Sequence, residues 1–133
     1  MKRTLKVLVL IISGLLLLAA LTSCGRSADI MKRKAEKLGL NCEIADGTKM
    51  AYVNNALGDR EIEGEVGFYV EISGQLDGKY VACTIFEFDK ASAAKDFEKK
   101  HTEIIGVLGS DQSIKRSGRV VIFGSSSVID RVW

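Results

Sequence analysis

The stretch that decides the fold is Glu61–Phe88, EIEGEVGFYVEISGQLDGKYVACTIFEF. From Glu61 to Ser73 apolar and polar residues alternate. Ile62, Gly64, Val66, Phe68, Val70 and Ile72 share one face, and Glu61, Glu63, Glu65, Gly67, Tyr69 and Glu71 share the other. A period of two predicts a strand. Gly74 to Gly78 reads as a turn with glycine at both ends. Lys79 to Phe88 is a second strand, rich in Val, Ile, Phe and Tyr. It carries apolar groups on both faces, which places it at the centre of a sheet.

Working outward, Asp89 is expected to cap a helix whose stripe is Ala94, Phe97, His101, Ile104 and Leu108, with Gly109 ending it. Ser113–Arg116 and Arg119–Phe123 flank Ser117-Gly118 as a tight hairpin. Ser125-Ser126-Ser127 begins a last helical turn through Val128, Ile129 and Val132, with Trp133 docking onto the core or reaching a membrane interface. On the amino-terminal side, Ala28, Met31, Ala35 and Leu38 follow helical spacing, Ser27 or Asp29 supplies a cap, and Gly39 supplies a left-handed stop. Leu40–Ala45 reads as a short strand. Asp46-Gly47 is a hairpin signal, but Met50, Val53 and Leu57 keep helical spacing and Gly58 is a stop, so a short helix is favoured over a hairpin. The expected fold is a single α+β domain over residues 28–133: a mostly antiparallel sheet of about four to five strands with helices packed on one face.

The sequence offers little chemistry. Its one histidine, His101, lies on an apolar helical stripe. Gly124-Ser125-Ser126-Ser127-Val128 lacks the closing glycine of a nucleophile elbow. Cys42, Cys83 and His101 lack the spacing of metal ligands, so neither a metal site nor a cofactor is expected. Cys42 and Cys83 both fall on predicted strands. A disulfide between them needs Cα atoms ~5.5 Å apart and would contribute ~3–4 kcal/mol. Two unbridged thiols acting as small hydrophobes are the favoured alternative. Glu61, Glu63 and Glu65, ~6.6–7 Å apart along a strand, cannot converge on a calcium ion and read as a solvated outer face. From Cys24 onward the net charge is −1, too weak a field to draw in nucleic acid, and Phe68, Phe86, Phe88, Phe97 and Phe123 fall on core-facing positions, so no aromatic platform for it is expected.

The first residues are more specific. Met1–Lys6 is a basic head and Val7–Leu21 an almost unbroken apolar run. That run is shorter than the ~20 residues that span a bilayer, and a small-residue exit follows it, as in a secretory signal peptide. Leu21-Thr22-Ser23-Cys24 resembles the lipobox of bacterial lipoproteins, an aliphatic residue, two small ones and an obligatory cysteine. The resemblance implies a signal peptide over 1–23, cleavage between Ser23 and Cys24, and a thioether-linked lipid with acyl chains such as palmitate on Cys24. Two or three chains anchor stably, since each buried methylene contributes ~0.8 kcal/mol. The address is the extracytoplasmic side: the cell membrane in a one-membrane envelope, the outer membrane in a two-membrane one, where Gly25 is not the aspartate of a retention signal. The globular part also resembles small bacterial lipoproteins of unassigned role, which brings no activity with it.

Residues 24–27 form the lipidated anchor and a short tether, so the domain sits close to lipid. Lys32, Arg33, Lys34 and Lys37 lie on the polar face of the first helix and are candidates for contact with anionic lipid heads, against a plain solvated face. The functional expectation is a non-enzymatic, membrane-anchored module that binds a protein partner in the envelope or a small ligand. The alternative is an envelope enzyme or thiol-redox protein that uses Cys42 or Cys83 with His101.

Overall fold

The central hairpin joins β2 (Val66–Leu76) to β3 (Lys79–Phe88) in the computed structural model, which describes residues 27–109 and 111–133. The expected signal peptide, the lipidation site Cys24 and most of the tether lie outside the described residues. The hairpin turn is Asp77-Gly78, tighter than the Gly74–Gly78 segment suggests. Both residues have positive φ, 53° and 79°, as a type I′ connection between twisted strands requires.

The chain order is α1 (Ala28–Lys37), β1 (Asn41–Ile44), α2 (Gly47–Asp59), β2, β3, α3 (Ala91–Leu108), β4 (Gln112–Ser117), β5 (Val120–Ser125) and α4 (Ser126–Val132). The strands form one antiparallel sheet ordered β1-β2-β3-β5-β4, with β3 in the middle as its two apolar faces predict. The expected α+β class and strand count hold. The placement of the helices differs from expectation: they cover both faces. On one, Met31 and Ala35 of α1 and Val128, Ile129 and Val132 of α4 pack against Val70, Ile72, Val81, Cys83, Ile85 and Ile122. On the other, Val53 and Leu57 of α2 and Ala94 and Phe97 of α3 pack against Val66, Phe88 and Val121. Two apolar sheet faces in a chain with four amphipathic helices leave no other way to remove both from water.

The strand expected over Glu61–Ser73 begins only at Val66. A bulge between Val66 and Phe68 shifts the register against β3 by one residue and so moves Val66 to the opposite face from Val70 and Ile72. Ile62 and Val66 join the α2/α3 core, whereas Val70 and Ile72 join the α1/α4 core. Glu61, Glu63 and Glu65 are exposed, as expected, but on a connection and not on a strand.

Asp46-Gly47 starts a helix and not a hairpin. The Asp46 carboxylate accepts the Lys49 N–H at 2.9 Å, a side-chain N-cap. Gly58 does not stop that helix. The Ile62 N–H reaches the Leu57 carbonyl (3.1 Å) and the Glu61 N–H the Gly58 carbonyl (3.0 Å), with Glu61 at φ 59°. This is a Schellman stop. α1 ends in the same way, with Leu40 N–H on Ala35, Gly39 N–H on Glu36 and Gly39 at φ 81°. At the start of α1, Ser27 takes the cap position without a side-chain hydrogen bond. Lys90, not Asp89, precedes α3 as its cap residue. Asp89 instead bonds Glu65 through both its carboxylate (3.0 Å) and its N–H (2.8 Å), which fastens the ends of β2 and β3 together.

Candidate functional site

The α2/α3 face holds an apolar concavity. The two helices pack on the same sheet face and leave a slot of about 170 Å³, lined by Tyr52, Val53, Ala56, Leu57, Arg60, Tyr69, Phe86, Phe97, His101 and Phe123. Register builds its floor: Tyr69 pairs with Phe86 across β2–β3, and Phe123 of β5 pairs with Thr84 in the next row. The rings interlock. Tyr69 meets Phe86 edge-on at 5.1 Å, Phe86 lies 4.7 Å from Phe97, and Phe97 stacks on His101 at 3.8 Å. Such contacts fix ring positions beyond what area burial alone achieves.

His101 forms the inner wall and is 6% exposed. Its Nδ1 donates to the Phe97 carbonyl at 3.0 Å, which leaves Nε2 as acceptor for the Arg60 Nη1 at 2.5 Å. Burial, and secondarily the Arg60 charge, hold its pKa below the ordinary value, against the pull of the Phe97 carbonyl. At neutral pH the ring is uncharged, and an uncharged ring is what can accept from a guanidinium. Arg60 enters the site because the Schellman stop of α2 leaves it at the helix end; nothing in its sequence context marked it.

Phe123 is shared with a separate polar groove of about 390 Å³ whose lining includes Glu43, Glu71, Ser73, Tyr80, Thr84 and Gln112. Lys49 pairs with Glu71 at 2.6 Å and holds its carboxyl below the usual range. The Tyr69 hydroxyl donates to the same carboxylate at 3.1 Å.

The sequence-predicted thiol device is not assembled. The sulfur of Cys42 packs against the α1/α4 core and donates to the Lys32 carbonyl at 3.7 Å, and Cys83 is buried in that same core. His101 stands on the other side of the sheet. Burial raises both thiols, Cys83 to about 12, so neither is the thiolate that nucleophilic chemistry needs. A Cys42–Cys83 disulfide is also ruled out. Cys42 pairs with Ile72 and Ile72 with Cys83, so a whole strand separates them, two spacings of ~4.8 Å against a Cα limit of ~7 Å for a bridge. Both are free.

On α1, Lys32 pairs with Glu36 at 2.5 Å and Arg33 with Asp29 at 2.8 Å. Lys34 and Lys37 are exposed beside Ile30, which is 52% exposed. Among the described residues no cluster of His, Cys, Asp and Glu converges as a metal site. Trp133 is half-buried against the α1/α4 core, with the Lys115 ammonium 5.8 Å from its ring. The aromatic slot itself escaped the sequence reading, which placed Phe86, Phe97 and Phe123 in the core. The signal for it was the apolar character of both faces of β3.

Compared with known protein families, curated proteins and solved structures, the chain has no match.

Proposed function

We propose that the protein is a lipid-anchored extracytoplasmic binding module, tethered through Cys24, whose α2/α3 slot takes a small ligand. The observation that carries this reading is the placement of the slot on the sheet face opposite α1. α1 follows the anchor directly. Its outward surface, with Ile30, Lys34 and Lys37, suits an anionic lipid surface, and a domain seated on that surface turns the slot away from the bilayer. Aromatic walls with few polar groups are the usual make-up of a ligand site. A slot well below the ~300 Å³ of drug-sized pockets calls for a compact occupant.

Two measurements test the reading. Cys24→Ser is expected to abolish metabolic labelling with fatty acid, and labelling that survives ends the anchor. The compact neutral dye 1-naphthylamine is expected to bind the native protein saturably and to be expelled by Ala56→Trp, which fills the slot from a half-buried position. Dye binding that is unsaturable, or unchanged in the variant, ends the slot as a binding site.

A further inference from the structure

We propose that the slot selects a small apolar monocarboxylate, with Arg60 taking the carboxylate and His101 positioning Arg60. The inference rests on the slot being a binding site and adds the chemistry of its occupant.

Most polar atoms that face the slot are already partnered. The Tyr69 hydroxyl is committed to Glu71. His101 is committed at both nitrogens, to Phe97 and to Arg60. What remains is the rest of the Arg60 guanidinium and, at the mouth, the Tyr52 hydroxyl, on a side chain 74% exposed. Arg60 has donors only, so the head of an occupant that satisfies it must be an acceptor. Arg60 takes part in none of the ion pairs among the described residues. Its chain neighbours Asp59 and Glu61 are exposed and do not pair with it.

The Arg60 and Glu61 carbonyls, just past the end of α2, are taken by the Lys100 ammonium at 3.0 and 3.1 Å. Lys100 also pairs with Asp96 at 3.2 Å and is spent locally. Most exposed cations of a protein are simply solvated, but Arg60 is held by a buried imidazole at the end of an apolar wall. There a guanidinium–carboxylate contact is stronger than in open water. The remaining walls, Val53, Ala56, Leu57, Phe86, Phe97 and Phe123, accept only an apolar body, and the small volume excludes a bulky one.

The test uses the full chain and displacement of 1-naphthylamine. Octanoate is expected to displace the dye from the wild type, and neutral octanol to do so at least about tenfold more weakly, the order expected for a hydrogen bond to a charged group. Arg60→Gln, an exposed and conservative change, should remove the preference for octanoate over octanol. His101→Phe keeps the stack on Phe97 but not the Nε2 acceptor; it should narrow the preference for octanoate over octanol severalfold, whereas a merely structural role for His101 would weaken both alike. Equal displacement by octanoate and octanol overturns the carboxylate assignment while the slot stands. A preference for octanoate that persists in Arg60→Gln also overturns it. No displacement by either, with the dye still expelled by Ala56→Trp, overturns the monocarboxylate and leaves a binding site of other chemistry.

Discussion

Gly124 and His101 show how single residues hold this architecture. Gly124 has φ 137°, and a Cβ there would lie 2.5 Å from the Ala82 carbonyl oxygen and 2.7 Å from the Cys83 Cα. Both are backbone atoms of the central strand and cannot swing aside. Gly124→Ala is therefore expected to destabilise the domain by about 3 kcal/mol, from a strained dihedral and overpacking together, read as a fall in the midpoint of chemical denaturation. His101 couples stability to pH. Its folded pKa lies below the ordinary 6.5, so the unfolded chain binds the proton more readily and stability rises with pH through this window. The contribution is complete above the unfolded value. It declines as pH falls below about 6.5, and the decline levels off once pH passes the folded value. His101→Phe should flatten the melting temperature between pH 7 and 5 relative to the wild type; parallel profiles would remove His101 as the cause.

Elements are set by their ends and neighbours. α1 and α2 stop with the same Schellman geometry, but the left-handed position is Gly39 in one and Glu61 in the other. A non-glycine residue there costs ~1 kcal/mol or more, so Glu61→Gly is expected to raise stability by about 1 kcal/mol by denaturant titration. The pairing of strands decides the cysteines. β2 runs between Cys42 and Cys83, and alkylation of the native protein should give the same pattern with and without reductant. Cys42, half-buried, reacts slowly, and Cys83 reacts only after unfolding. A mass two hydrogens lighter before reduction would contradict the register.

For the whole molecule, the sheet separates two surfaces. α1 and α4 cover one face, and α2 and α3 frame the slot on the other. If α1 rests on lipid, Lys34 and Lys37 become shielded from a water-soluble acylating reagent in membranes and regain reactivity in detergent. Lys95 and Lys99, exposed on α3 at the opposite face, keep the same reactivity in both. Equal labelling of all four lysines in membranes would place α1 away from the surface.

The number and order of elements, the central position of β3 and the antiparallel class were legible in the chain. Periodicity, turn residues and β-branched runs act over a few residues and leave a local record. The lipobox-like Leu21-Thr22-Ser23-Cys24 is local in the same sense, a motif of four consecutive residues. The division of helices between two faces was not legible, because one bulge after Val66 reverses which side chains point where. Nor was the slot. Arg60 and His101 are 41 residues apart and meet only because α2 and α3 pack on the same face of the sheet, and the rings of Tyr69, Phe86 and Phe123 line up only through the register of three paired strands. Local pattern determined the parts; long-range pairing, which depends on burying both faces of β3 at once, decided where a site exists.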